Sequence, residues 1–175
     1  MKLSMILQIV LGVTALHVSA PVAFADEASN FLSSLAGEFK GRGKATLLSR
    51  EKAEPVSCKV NNKYDGNSSA LMVSGNCAST QGKSSVSGKL THDGASVSGQ
   101  FIGNVEGSTV TGSRGTISDG QLVISSNMVD NATGNLSRTR QVIRLKGAGF
   151  SSQFYTYDNA SGKYELNGEM TFTKQ

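Results

Sequence analysis

The sequence predicts an all-β protein, an antiparallel meander that closes into a small β-barrel of about 8 to 10 strands with a short N-terminal helix. Apolar and polar residues alternate over most of the chain, as they do in strands with a dry and a wet face. Turn sequences separate these runs at short intervals, and 20 of the 175 residues are glycine. Helical spacing is confined to one segment, so no helices connect the strands as they would in a parallel sheet.

The first 25 residues have the pattern of an export signal. Lys2 gives a positive start, Met5 to Val18 form a short apolar core, and Ala23-Phe24-Ala25 fits the small-residue cleavage pattern. We therefore expect a signal peptide over residues 1–25 and one domain over residues 26–175, exported to the periplasm or the extracellular medium. An uncleaved membrane anchor is the alternative, but the apolar run is shorter than the roughly 20 residues that cross a bilayer.

The segment with helical spacing is Glu27 to Leu35, which we expect to close one end of the barrel. The first strand, Glu38 to Leu47, follows it. Phe39 and the small or apolar residues occupy every second position on one face, and four charged residues and Thr46 occupy the other face. This alternation predicts a strand with Phe39 inside the barrel and the charges outside.

A hairpin is predicted next. Two alternating runs, Val56 to Val60 and Leu71 to Cys77, flank the turn sequence Asp65-Gly66-Asn67-Ser68. A turn centred near residues 67 and 68 places Cys58 opposite Cys77 with both side chains on one face, which predicts a disulfide in an exported protein. A redox-active pair would need a shorter spacing such as C-x-x-C.

The rest of the chain contains seven further alternating runs, several of them separated by turn signals such as Asp119-Gly120. They are Ser85 to Thr91, Ser96 to Ile102, Ser108 to Arg114, Gln121 to Ser125, Ser137 to Lys146, Phe150 to Tyr157 and Lys163 to Thr173.

A short motif of Val, Ser or Thr, and Gly recurs within the predicted strands. Because glycine weakens a strand, its recurrence indicates a geometric use such as tight coiling or close approach of two backbones. Chance co-occurrence of three common residues is the alternative. The four copies are Val73-Ser74-Gly75, Val86-Ser87-Gly88, Val97-Ser98-Gly99 and Val110-Thr111-Gly112.

No set of residues in the sequence indicates catalysis. Once the signal is removed the remaining histidine is His92, beside Asp93 and Gly94, and a serine nucleophile needs an oriented base. We therefore expect His92 to be a solvated turn residue and the protein not to be an enzyme. Metal sites need several Cys, His or acidic ligands, and both cysteines are assigned to a disulfide, so no metal and no cofactor are predicted.

The charge is mildly basic. The formal net charge of +4 falls to +3 when Lys2 is removed with the signal. This value is too small to predict a nucleic-acid partner, which would require a strong basic stripe with interleaved aromatics. An integral membrane protein is not predicted either, because the strands lack aromatic girdles and continuous lipid-facing apolar bands.

One predicted strand, Ser137 to Lys146, has basic residues on one of its two faces. Because Ile143 and Leu145 occupy its apolar face, we expect its basic face to point outward, where it suits an anionic surface or a partner protein. An inward basic face could bind a ligand carboxylate together with Tyr155 or Tyr157, but burying unpaired cations is costly. The basic residues are Arg138, Arg140, Arg144 and Lys146.

The segment Leu35 to Gly43 resembles the opening of calycin-type barrels, the lipocalin and nitrobindin-like proteins, in which a short helix leads into a first strand carrying G-x-W-x-G. Here Phe39 stands where Trp is usual. The ending Gly168 to Lys174 is similar to their closing strand. The resemblance implies the barrel fold. Nitrobindin-like proteins hold haem through a histidine near the C-terminus. Because Glu165 to Gln175 contains no histidine, the resemblance does not imply that this chain binds haem.

Two functions follow as hypotheses. The first is an exported non-enzymatic binding protein that holds a small apolar or amphipathic ligand inside the barrel, which the many interior Gly and Ala residues favour. The second is a protein-interaction module, such as an inhibitor of an exported hydrolase, with a filled core and its function on loops or the basic outer face. The residues predicted to line a ligand site are Phe39, Leu71, Val73, Ile143, Leu145 and Phe154.

Overall fold

The computed structural model describes residues 22–46, 53–80, 82–102 and 108–175. Most of the predicted signal peptide, residues 1–21, lies outside the described residues, and the predicted cleavage site falls within the first turn of the helix. The elements are α1 (Val22–Ser34), β1 (Gly37–Ala45), β2 (Glu54–Asp65), β3 (Ala70–Ser79), β4 (Gly82–Asp93), β5 (Ser96–Gln100), β6 (Ser108–Ser118), β7 (Gln121–Asp130), β8 (Leu136–Lys146), β9 (Gly149–Asp158) and β10 (Lys163–Lys174).

The ten strands form a closed antiparallel barrel. Each strand pairs with its neighbours in the chain, and β1 also pairs with β10, which closes the sheet into a barrel. This confirms the predicted all-β barrel with a short N-terminal helix. Each of the ten alternating runs in the sequence corresponds to one strand, although β2, β4, β6 and β7 extend several residues beyond the runs that predicted them.

The helix α1 closes one end of the barrel. Ala28, Phe31, Leu32 and Leu35 are spaced to lie along one helical face, and all four are buried in the core. The barrel also caps the end of the helix, since the Asn62 side chain on β2 donates a hydrogen bond to the Leu35 carbonyl at 2.8 Å. The predicted helix is confirmed, with a start at Val22 rather than Glu27.

Aromatic rings fill the half of the barrel next to α1. The ring of Phe150 lies 4.4 Å from that of Phe172, 5.0 Å from that of Phe39 and 5.3 Å from that of Phe101, measured between centroids. All four side chains are buried. Each such burial is worth about 2 to 3 kcal/mol, so this cluster is a major source of stability.

The recurring Val-Ser-Gly motif has a geometric role in the sheet. Across β3 and β4, Val73 pairs with Gly88 and Gly75 pairs with Val86, so a large and a small residue face each other. A Cβ atom at Gly75 would collide with the carbonyl oxygen of Lys59 on β2. These positions therefore let neighbouring backbones approach closely where the sheet coils.

The predicted disulfide is present. Cys58 on β2 and Cys77 on β3 occupy directly opposed positions and are bonded to each other. Cys58 is buried, and its sulfur lies 4.0 Å from the sulfur of Met170 on β10. The bridge is consistent with an exported protein, because disulfides persist in oxidising compartments.

Three hairpin turns begin with an aspartate whose carboxylate accepts hydrogen bonds from the residues that follow. At the turn between β7 and β8, Asp130 accepts from the backbone of Ala132 at 2.9 Å and of Thr133 at 2.8 Å. These bonds favour the charged form, so the pKa of Asp130 lies below its ordinary value, with the N–H of Thr133 as the largest cause. Hydrogen bonds led by Ser68 and Ser161 lower the pKa of Asp65 and Asp158 in the same way.

Candidate functional site

The structure places four of the six predicted ligand-lining residues in the packed core. Phe39, Leu71, Val73 and Ile143 are all buried and belong to one hydrophobic cluster. They are brought together, as the sequence predicts for residues that share the inner face, but they pack against one another. Leu145 is 39% exposed near the end of β8.

The sixth residue, Phe154, lines a small cavity in the half of the barrel away from α1. Its volume, counted as the positions that the centre of a water molecule can occupy, is about 10 Å³. This is room for roughly one water molecule. Binding sites for small organic ligands are typically about 300 to 1,000 Å³. The cavity is lined by Gln100, Ile102, Val110, Ile124, Ser126, Met128, Thr139, Gln141 and Phe154.

Polar side chains around this cavity bond to one another. The Gln141 amide donates to the hydroxyl of Ser152 at 3.0 Å, and the Thr139 hydroxyl donates to the carbonyl of Ser126 at 3.4 Å. Both pairs link neighbouring strands. These groups are therefore occupied in holding β7, β8 and β9 together.

The four predicted basic residues lie on the outer face of β8. Ile143 is fully buried in the core, and the alternation of β8 directs Arg138, Arg140, Arg144 and Lys146 to the opposite face, which they share with the buried side chain of Val142. Arg138, Arg144 and Lys146 are exposed, and Arg140 is half-buried. We call the outer surface of β8, β9 and β10 around these residues the basic face.

Two arginines of the basic face stack on tyrosines from the neighbouring strands. The Arg138 guanidinium lies 3.6 Å from the ring centroid of Tyr157 on β9, and that of Arg140 lies 4.0 Å from the ring centroid of Tyr164 on β10. The two rings contact edge to face, with centroids 5.3 Å apart. We call these four residues the Arg–Tyr cluster. Cation–π contacts of this kind restrain the positions of both guanidinium groups.

Arg144 makes a different contact. It donates a hydrogen bond to the side-chain carbonyl of Gln153 on β9 at 2.7 Å, and the amide of Gln153 donates to Glu169 on β10 at 3.1 Å. The hydroxyl of Tyr155 also donates to Gln153, at 3.2 Å. Arg144 is thus linked to a carboxylate through one intervening amide.

The charge of the basic face is not balanced locally. Arg138, Arg140, Arg144 and Lys146 form no ion pair with a described residue, since no carboxylate oxygen lies within 4.0 Å of their nitrogen atoms. A further cation extends the face, because Arg114 on β6 pairs with Ser125 on β7, which in turn pairs with Arg140. Such a surface attracts negatively charged partners.

A shallow groove of about 480 Å³ adjoins the basic face between β1 and β10. Arg42 and Lys44 line it from β1, and Glu169 and the exposed side chain of Leu166 line it from β10. Lys44 is the direct cross-strand partner of Glu169. Positive charge therefore continues around the barrel beyond β10.

The prediction that His92 is a solvated turn residue is wrong. It belongs to β4, where the strand's alternation directs it to the inner face, and its ring is half-buried. Its Nε2 atom lies 3.1 Å from the hydroxyl of Tyr64, which lies 2.9 Å from the hydroxyl of Ser29 on α1. The tyrosine separates the histidine from the serine, so this network joins α1 to the barrel instead of forming a serine–histidine pair.

Sequence reasoning missed Arg114, Tyr164 and the Ser29–Tyr64–His92 network. Arg114 and Tyr164 reach the basic face because β6 and β10 lie in the same sheet as β8, and only the strand register places them there. Extending the β4 alternation by two residues beyond Leu90 would have placed His92 inside.

Comparison with known proteins adds no assignment. The chain matches no protein-family model, and no curated protein is significantly similar to it. The ten-stranded antiparallel barrel with a helix at one end is compatible with a calycin-like fold. In the described part of the chain, no three His, Cys, Asp or Glu side chains group as a metal site would require. No helix there is long and apolar enough to cross a membrane.

Proposed function

We propose that this protein is an exported, non-enzymatic binding protein that binds an acidic partner protein through its basic face. The observation that carries the proposal is the set of Arg138, Arg140, Arg144 and Lys146 on one outer surface, without an ion-pair partner among the described residues. The export pattern of residues 1–25 and the Cys58–Cys77 disulfide support action outside the cytoplasm.

The barrel interior supports this function over the binding of a small ligand inside. Next to α1 the core is filled by aromatic and aliphatic side chains, and the cavity beside Phe154 has room for about one water molecule. Among the described residues, an apolar ligand inside the barrel would have to displace packed side chains, whereas the basic face is already on the outer surface.

The composition of the basic face also suits a protein partner. Arginine and tyrosine are the residue types that most often dominate binding energy at protein interfaces. Surrounding cations raise the association rate with an acidic partner and make binding weaken as salt increases. An inhibitor of an exported hydrolase is one kind of protein that would bind its partner in this way.

The proposal is tested by photo-crosslinking in cells that produce and export the protein. A photoreactive amino acid replaces Asn127, which is exposed on β7 and pairs with Arg138. The matched control position is Ser74, which is exposed on β3. We expect a discrete protein adduct from position 127 and none from position 74, with the adducted protein identified by mass spectrometry and acidic in its sequence.

The charge requirement is tested in the same cells with two charge-matched variants. Arg138→Glu combined with Arg140→Glu should abolish the adduct, whereas Lys59→Glu combined with Lys63→Glu on the outer face of β2 should leave it unchanged. Adducts of equal yield from both positions, or loss of the adduct in both variants, would refute a specific role for the basic face.

A further inference from the structure

We infer that the Arg–Tyr cluster is the specific anion-binding site of the basic face and that it binds the side-chain carboxylates of the partner. This inference rests on the proposed function and deepens it, because it assigns recognition to Arg138 and Arg140 and not to the positive charge of the whole face. Three features of the cluster distinguish these two arginines from Arg144 and Lys146.

The first feature is the orientation of the guanidinium groups. The Cζ atom of Arg138 lies 3.6 Å from the ring centroid of Tyr157 and that of Arg140 lies 4.0 Å from the ring centroid of Tyr164, distances that fit a guanidinium stacked flat on the ring. Stacking uses the face and leaves the N–H groups at the edge available. The edge-to-face contact between the two rings holds the pair of arginines as one unit. Less rotational freedom is therefore lost when an anion binds.

The second feature is the unused hydrogen-bonding capacity. A guanidinium has five N–H donors, and neither Arg138 nor Arg140 donates one to a described residue. The Nε atom of Arg140 is buried without an acceptor, so the donors that Arg140 can offer to a partner are those of its two terminal nitrogens. By contrast, Arg144 donates to Gln153, whose amide is bound in turn by Glu169. The donors that lack protein acceptors are thus concentrated in the Arg–Tyr cluster.

The third feature is the shape of the donor set. A guanidinium edge presents two parallel N–H groups that match the two oxygens of a carboxylate, which an ammonium group cannot do. Two such edges, fixed side by side on tyrosine rings, fit a partner segment with more than one acidic side chain. Lys146, at the end of β8, stacks on no aromatic ring in the described part of the chain and provides only a mobile point charge.

The test keeps the charge constant and changes only the shape of the cation. The probe is a fluorescein-labelled decaglutamate peptide, and binding to the mature protein is followed by fluorescence anisotropy at low salt. We expect Arg138→Lys combined with Arg140→Lys to weaken binding about ten-fold. The matched control, Arg144→Lys combined with Lys146→Arg, should change it less than about two-fold.

The stacking is tested separately with the arginines intact. Tyr157→Phe combined with Tyr164→Phe retains both rings and should bind decaglutamate like the native protein. Tyr157→Leu combined with Tyr164→Leu removes the rings and should weaken binding several-fold without changing net charge. Circular dichroism and the thermal midpoint of each variant establish that the barrel is folded.

The outcomes separate this inference from the function on which it rests. If the native protein does not bind decaglutamate at low salt, both are wrong. If it binds and the two lysine-for-arginine changes at positions 138 and 140 have no effect, recognition depends on charge alone and the assigned site is wrong. Inorganic phosphate and unlabelled decaglutamate are also compared as competitors of the labelled peptide at equal total charge. If phosphate displaces the labelled peptide as well as decaglutamate does, the preference for carboxylates is wrong.

Discussion

At Gly75 the backbone of a neighbouring strand occupies the space that a side chain would need. A Cβ atom would collide with the Lys59 carbonyl oxygen, which is part of β2 and cannot rotate away. We therefore expect Gly75→Ala to lower the free energy of unfolding by about 3 kcal/mol, because the strands must separate to admit the methyl group. Urea denaturation followed by circular dichroism measures this change.

Gly112 provides the matched control for Gly75, since it ends the fourth copy of the same motif. A Cβ atom there would meet nothing within 4 Å, and Gly112 adjoins a register shift between β6 and β7. Gly112→Ala should leave stability unchanged or raise it slightly, because alanine restricts the unfolded chain. Equal losses in both variants would mean that the motif acts through strand propensity and not through close approach of backbones.

Residue-scale prediction from the sequence succeeded where alternation alone decides the outcome. The inner position of Phe39 and the outer position of Arg138 follow from a period of two. The contact of Arg140 with Tyr164 does not, because it joins strands two places apart in the barrel and depends on the register of both pairings. Sequence spacing holds no information on that register.

At the scale of an element, the turn between β7 and β8 depends on the charge of Asp130. Its lowered pKa means that the folded state favours the carboxylate. The stabilisation is present above the unfolded pKa of about 4 and is lost as pH falls through the lower folded value. We expect the native protein to be more stable than Asp130→Asn at pH 7, with the difference shrinking as pH falls below about 4.

Thermal unfolding of both proteins from pH 7 to pH 2 measures this convergence, and carboxyl-detected NMR gives the titration of Asp130 directly. As a control, Thr133→Val keeps the shape of the turn but removes the hydroxyl that donates to Asp130 at 2.9 Å. The pKa of Asp130 should then rise towards its ordinary value. A constant stability difference between the native protein and Asp130→Asn at all pH values would contradict this account of the turn.

Elements with a local signal were predictable from the sequence. The β2–β3 turn was identified from Asp65-Gly66-Asn67-Ser68, and its position was sufficient to pair Cys58 with Cys77. Strand ends were less predictable. The β6 strand continues to Ser118 because its partner β7 offers backbone groups along that length, a property of the pair and not of the segment.

At the scale of the whole molecule, the sequence predicted a closed barrel but not whether its interior was open. That distinction depends on whether large side chains on some strands fill the space left by glycine on others. Here Phe150 and its neighbouring phenylalanines fill the half near α1, and the Val73–Gly88 pairing matches a large residue with a small one. Composition alone gives the number of glycines but not what lies opposite them.

The Cys58–Cys77 bridge constrains the whole barrel, because it joins β2 to β3 and these strands also pair with β1 and β4. Its sequence separation is 19 residues, and closing a loop of that length in the unfolded chain is worth about 3 kcal/mol. Folded domains are typically stable by about 5 to 15 kcal/mol. We therefore expect Cys58→Ala combined with Cys77→Ala to remain folded but to unfold at a lower urea concentration.

The native protein treated with dithiothreitol should show the same loss as the double alanine variant, once mass spectrometry confirms that both thiols are free. Agreement between them would assign the effect to the cross-link and exclude the altered packing of alanine beside Met170. A reduced protein as stable as the oxidised one would show that β-sheet pairing alone restrains the hairpin. If the predicted loss occurs, the barrel gains its full stability only where the disulfide can form, which links its folding to an oxidising compartment.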